Sequence, residues 1–274
     1  MRIDFDMITY WPSYYRDFKC KAGECHHTCC AGWVIGIDEC SLKRFEKDPD
    51  VKSKISDGCF VLREDGRCPF LRDDDLCELI IKNGEEYLCD ICREHPRFYN
   101  DCEDHIEAGV GMVCEMAAEL ILGAEDGFEL LGEDGSKITL PSDVTAILDK
   151  SIPLTETLAR LSGGRRANTK LRAEIFAEME VMDPKWLELL MGVIGDPAKP
   201  EEEDAEINGS IKYRNFAAYL LYRYNGAGRF AAEATYLLSD LVMNGYKIED
   251  AARMFSGEVE YSDINIDEAL ETFE

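Results

Sequence analysis

Phe18-Lys19-Cys20-Lys21-Ala22-Gly23-Glu24-Cys25-His26-His27-Thr28-Cys29-Cys30 places four thiols within eleven residues, and what those thiols do decides the fold around them. Eight more follow at Cys40, Cys59, Cys68, Cys77, Cys89, Cys92, Cys102 and Cys114, making twelve in a chain of 274 residues. Residues 115–274 carry none. Cysteines buried as small hydrophobes would scatter along the chain rather than stop at Cys114. The opening segment MRIDFDMITYWPSYYRDFKC is charged and aromatic, without the apolar stretch of a secretory leader. The expectation is therefore a cytoplasmic protein with reduced thiols, in which metal ligation explains the cluster better than six disulfides.

The segments between these cysteines read as loops, with turn signals at Glu64-Asp65-Gly66 and Lys82-Asn83-Gly84. Trp33-Val34-Ile35-Gly36-Ile37 reads as a short strand, and Ser41–Lys47 as a short helix with Ser41 at its N-cap. Loops of this kind need something besides an apolar core to order them, and bound metal supplies folding energy. Thiolate ligands suit zinc and iron–sulfur clusters equally, so spacing leaves the metal open. A C-x3-C-x2-C signature is absent: Cys25 and Cys29 give the first interval, but the third position is Gly32. Cys89-Asp90-Ile91-Cys92 forms a C-x2-C, in which Cys89 reads as a buried thiol. His26 and His27 read as loop-orienting residues.

Beyond Cys114 the pattern changes to amphipathic helices. Glu115–Leu122 is a helix ending near Gly123, and Phe128–Leu140 is a hairpin turning at Glu133-Asp134-Gly135. Helices are expected near 142–161, 167–181, 184–193, 210–224, 228–244, 246–254 and 264–273. Gly195–Asn208, rich in proline and acid, is expected to be a mobile loop. The fold class is mostly α, with a loop-rich, Cys-dense metal-binding domain over 1–124 containing short strands, and a helical domain over 125–274.

The formal net charge is −26, from 56 acidic and 30 basic residues. Nucleic-acid binding needs clustered basic residues, so it is not expected. A lysine-bearing protein partner would be steered favourably to such a surface. No apolar run approaches the length of a membrane span, and no membrane association is expected.

Phe18-Lys19-Cys20, Cys25, Cys29-Cys30, Gly32-Trp33 and Ile37-Asp38 resemble the flagellin lysine-N-methylases. So do Cys68-Pro69-Phe70-Leu71, Leu76-Cys77, Gly84-Glu85, Cys92, Pro96-Arg97 and Cys114-Glu115. The region is also similar to the wider group of Cys-rich zinc- or iron-chelating domains. Tyr213-Arg214-Asn215-Phe216 and Tyr261-Ser262-Asp263-Ile264-Asn265 resemble later segments of the family. The chain is shorter than the usual members, and Met116 departs from their pattern.

The resemblance implies methyl transfer from S-adenosylmethionine to lysine amines of flagellin or a similar protein, dependent on a 4Fe-4S cluster. It implies ligation by cysteines among Cys20, Cys25, Cys29, Cys30, Cys68, Cys77, Cys92 and Cys114. Cys25, Cys29, Cys77 and Cys92 are the favoured four. Lysine must lose a proton before it attacks a methyl sulfonium, so Glu115 and His95, with Asp38 and Tyr99, are candidate bases. Arg97 is a candidate clamp for the donor's carboxylate, and Trp33 an aromatic platform for it. The alternative is a non-enzymatic zinc- or iron-chelating scaffold that binds a partner.

Overall fold

The computed structural model describes residues 7–274; the start of the charged opening segment, residues 1–6, lies outside them. Its contacts divide the chain into two compact units, Lys19–Phe98 and Met1–Phe18 together with Tyr99–Glu274. The sequence pattern changes beyond Cys114, while the contacts group one strand near the N-terminus with the residues from Tyr99 on. This strand, β1 (Ile8–Pro12), pairs with strands from beyond residue 104.

The Lys19–Phe98 unit holds α1 (Glu39–Phe45), α2 (Pro49–Lys52), β2 (Ile55–Ser56), β3 (Cys59–Phe60), α3 (Glu78–Asn83) and α4 (Asp90–Glu94). Its core is small: Ile35, Phe45, Phe60, Phe70, Leu79 and Leu88 are buried together with Cys68 and Cys89. Trp33–Ile37, expected as a strand, makes only the isolated bridge Gly36↔Cys59. The expected helix Ser41–Lys47 starts earlier, because Asp38 rather than Ser41 is its N-cap and accepts from the Ser41 N–H at 2.8 Å. The second Asp38 oxygen accepts from Asp90 N–H at 3.0 Å, so one carboxylate tethers the starts of α1 and α4. Those donors hold Asp38 below the usual carboxylate range despite its partial burial. This gives Asp38, expected as a candidate base, a structural task.

The larger unit continues with β4 (Arg97–Asp101, its own from Tyr99 on), β5 (His105–Val110), α5 (Glu115–Leu122), β6 (Leu130–Gly132) and β7 (Lys137–Ile138). The sheet order is β4-β5-β1-β6-β7. β1 runs parallel to β5, with Tyr10 opposite Glu107, and antiparallel to β6, with Trp11 opposite Leu131. β6 and β7 form the expected hairpin, turning through Gly135 at φ +81°.

The helices that follow are α6 (Ser142–Leu148), α7 (Leu154–Leu161), α8 (Thr169–Glu178), α9 (Pro184–Gly195), α10 (Pro200–Gly209), α11 (Ile211–Arg223), α12 (Gly228–Met243), α13 (Ile248–Phe255) and α14 (Asp263–Thr272). A π-helical turn, Ser256–Glu260, extends α13. The protein is thus mostly α, as expected. One expected helix, 142–161, is two, because Pro153 lacks an N–H and biases Ile152 away from helix. The expected loop 195–208 also differs, holding most of α10. Pro200 starts that helix, Glu201, Glu202 and Glu203 complement its N-terminal dipole, and Ile207 and Glu203 are buried.

α11 and α12 form the centre, buried along nearly their whole length. Phe255 anchors the packing, its ring centroid 5.5–6.4 Å from those of Phe176, Trp186, Phe216 and Phe230. Among the described residues, no helix is long and apolar enough to cross a membrane.

Candidate metal centre

Five thiols pack against the small core of the Lys19–Phe98 unit. Cys68 and Cys89 are buried in it, and Cys30, Cys77 and Cys92 lie against its edge, as Trp33 does. They arrive from four places in the sequence, and each is placed by backbone. Cys68 N–H donates to the Cys30 carbonyl at 2.8 Å, stitching the first of these places to the second. Leu71 bridges Cys77, closing the Cys68–Cys77 loop. Cys77 and Cys89 occupy the N-cap positions of α3 and α4, where helix N–H groups favour thiolate over thiol.

The thiols act on one another electrically. Hydrogen bonding from Cys29, then from Thr28, and the charge of Arg67 lower Cys30 to about 7 against the effect of burial. Hydrogen bonding from Cys92 lowers Cys89 to about 7, again against burial. Cys92 is pushed far up as the partner in that bond, by burial, and by the charges of Cys89, Cys30 and Cys68. Burial raises Cys68 to about 11, and the charges of Cys30 and Cys77 add to this. Burial likewise raises Cys77. Two thiols are therefore poised to ionise near neutral pH, but their ionisation opposes that of the rest. A bound cation of sufficient charge removes that opposition, so the donor set fits a thiolate-ligated metal.

Of the eight cysteines expected as ligands, Cys30, Cys68, Cys77 and Cys92 are brought together. Cys29 hydrogen-bonds Cys30 from the edge of the group, and its carbonyl accepts from Trp33 Nε1 at 2.6 Å. Cys25 is half-buried and Cys20 exposed in the same unit, the Cys20 sulfur accepting from Ala22 N–H at 3.3 Å. Cys114 belongs to the larger unit, at the N-cap of α5, close enough to Tyr261 to act on its charge. Cys89, read from sequence as an incidental buried thiol, stands inside the group. The C-x2-C spacing with Cys92 across a helix start was the signal that pointed to it. Cys40 is exposed on α1, and Cys59 lies in the two-stranded sheet.

The other site candidates are spread over both units. His95 lies with its ring 5.8 Å from that of Trp33, and burial lowers it to about 4, so it is a neutral imidazole at pH 7. Arg97 opens β4, half-buried. Glu115 opens α5 in the larger unit and acts on the charge of Arg253.

No family model matches the chain, and no solved structure matches it. Curated proteins do. The flagellar biosynthetic protein FliU of Salmonella muenchen is 24% identical over 134 residues, which cover 43% of this chain and 79% of that protein. Lysine-N-methylases of Salmonella typhimurium and Salmonella choleraesuis are also 24% identical over 134 residues, but the match spans only 33% of each. The chain therefore matches about a third of the length of the lysine-N-methylases and most of the length of FliU, and its likeness to the flagellin lysine-N-methylases is carried by sequence similarity to proteins of both names.

Proposed function

We propose that this chain is a protein lysine methylase that uses an iron–sulfur cluster and takes its methyl group from S-adenosylmethionine. The observation that carries the reading is the convergence of Cys30, Cys68, Cys77, Cys89 and Cys92 in a chain similar to lysine-N-methylases. Those thiols would hold the metal group. A thiolate-bound iron–sulfur cluster supplies one-electron chemistry, with a potential set by burial and by hydrogen bonds to the sulfurs.

The chain's own residues have definable tasks in this reading. The net charge of −26 draws a lysine-bearing protein such as flagellin toward the surface, and nucleic acid is repelled. His95 is neutral at pH 7, so it sets no second positive charge beside an incoming lysine. Trp33, beside it, offers an aromatic face to an alkylammonium group. Arg97 is the guanidinium for the donor's carboxylate. Glu115 is a further candidate proton acceptor, tested separately by Glu115→Gln. In the transfer, a neutral ε-amine takes the methyl group, the sulfonium's bonding pair stays on sulfur, and the amine's proton passes to a base. Reduced thiols fit a cytoplasmic location.

The test is to incubate anaerobically purified protein with S-adenosylmethionine and flagellin, then map lysines by mass spectrometry. Methyl increments on lysine that depend on Cys68 and Cys77 support the reading. A preparation with intact metal that methylates none of several flagellins rejects it. That result leaves a zinc- or iron-chelating scaffold, for which the all-thiol donor set is equally suited.

A further inference from the structure

A second group of metal-capable side chains lies in the sheet of the larger unit. Cys102 sits in the turn after β4, while His105 and Glu107 are the first and third residues of β5, so the pleat puts both on one face. One ligand atom from each of the three lies within 4.8 Å of the other two. His105 Nε2 is 3.7 Å from Glu107 Oε1. Nitrogen and oxygen ligands at tetrahedral zinc distances stand roughly 3.4 Å apart, so this pair is a few tenths of an ångström from coordination spacing.

The imidazole is already oriented. Its Nδ1 lies 2.7 Å from Asp104 Oδ1 and its Nε2 faces Glu107, so the tautomer that donates from Nδ1 to Asp104 leaves the Nε2 lone pair for a metal held with Glu107. A carboxylate behind a histidine in this way is the usual support of a metal-bound imidazole. Tyr10 stacks against the same ring, centroids 4.8 Å apart.

Charge is the second observation. Glu107 is only 8% exposed; among the described residues its ion-pair partner is His105, and the Asn100 side chain also hydrogen-bonds it. The charged groups acting on Cys102 are Glu107, Asp104 and Asp101, all acidic. The Cys102 sulfur makes a long hydrogen bond, 4.0 Å, to the Asn100 carbonyl. Among the described residues no lysine or arginine forms an ion pair with this buried carboxylate, so a cation bound beside the thiol would offset its charge.

We propose that Cys102, His105 and Glu107 bind a divalent transition metal. Zinc is the best match to one sulfur, one nitrogen and one oxygen, and a fourth position stays open to water or substrate. This site is independent of the thiol cluster and of the methylase reading.

The test uses the full chain, zinc chloride as the probe, and alkylation of each cysteine followed by peptide mass spectrometry. Zinc is expected to slow alkylation of Cys102 about tenfold or more. His105→Gln and Glu107→Gln each restore the zinc-free rate at Cys102, while the response of Cys77 to zinc stays as in the wild type. Asp104→Asn, a change at an exposed side chain that leaves the fold intact, raises the zinc concentration needed for protection by about tenfold. Equal Cys102 rates with and without zinc overturn the proposal. So does protection that survives in both Gln variants, or in Asp104→Asn at unchanged zinc concentration.

Discussion

Replacing Arg172 by Met removes the centre of the most deeply buried charge network in the larger unit. Arg172 is fully buried on α8. Its Nη2 donates to Glu203 at 2.6 Å and to Asp240 at 2.9 Å, its Nη1 to Glu233 at 3.2 Å and to the Ala167 carbonyl at 3.0 Å. Glu203, Glu233 and Asp240 are as buried as the arginine, and the second cation, Arg166, reaches Glu203 and Asp204 from a partly exposed position. Methionine fills much of the volume but leaves Glu203 and Glu233 without their main counter-charge and Asp240 without its donor. Breaking a buried pair in this way costs about 3–5 kcal/mol. In a unit of this size each kcal/mol moves Tm by about 2–4 °C, so the larger unit should melt about 6–20 °C lower. Differential scanning calorimetry on the full chain measures it.

Asp240→Asn provides the control. Burial raises Asp240 to about 8, with the neighbouring Glu203 adding to the effect. A carboxyl raised in the folded state contributes stability that is full below its ordinary 3.8 and is lost as pH rises through about 8. Asp240→Asn, always neutral, should therefore gain on the wild type between those values. An Arg172→Met protein melting within about 2 °C of the wild type would refute the reasoning, because the network would then contribute almost nothing.

Cys68→Ser and Cys77→Ser should each lose bound metal and loosen the Lys19–Phe98 unit, whereas Cys40→Ser, at an exposed position, should keep full metal content by elemental analysis. His95 is lowered from 6.5 to about 4 by burial, so it contributes stability above 6.5 that is lost as pH falls through 4. Urea midpoints of His95→Gln should accordingly fall less than those of the wild type over that range. Gly111→Ala should cost about 1–3 kcal/mol by chemical denaturation, because a Cβ there would sit 2.4 Å from the Tyr261 hydroxyl.

The helical character of residues 115–274 was legible because its apolar positions recur at helical spacing, as in Ile248–Phe255 with Ala251, Ala252, Met254 and Phe255 buried. Breaks and starts set by single residues were less legible. Pro153 splits one expected helix, and Pro200, with three glutamates behind it, starts a helix where composition suggests a loop. Both are local signals outweighed by the average character of a window. β1 illustrates another limit: its aromatic residues look like any amphipathic stretch, and its parallel partner lies about a hundred residues away. The thiol group was legible as a set of residues but not as a constellation. Cysteine content marks the region, yet only the Cys30–Cys68 backbone bond and the caps of α3 and α4 bring Cys89 in beside Cys30, Cys68, Cys77 and Cys92. Nothing in the local sequence pairs Arg172 with Glu203, Glu233 and Asp240, which lie 31–68 residues away; their meeting in the core is a tertiary fact.

The most direct test of the account is metal and sulfide analysis of the full chain purified without oxygen, alongside Cys68→Ser and Cys40→Ser. The account gives iron and acid-labile sulfide in equal amounts, about four of each per chain, with broad visible absorption, lost in Cys68→Ser and retained in Cys40→Ser. Stoichiometric zinc with no iron would contradict the iron–sulfur assignment, and a Cys68→Ser protein that keeps its full metal content would contradict the placement of the centre itself.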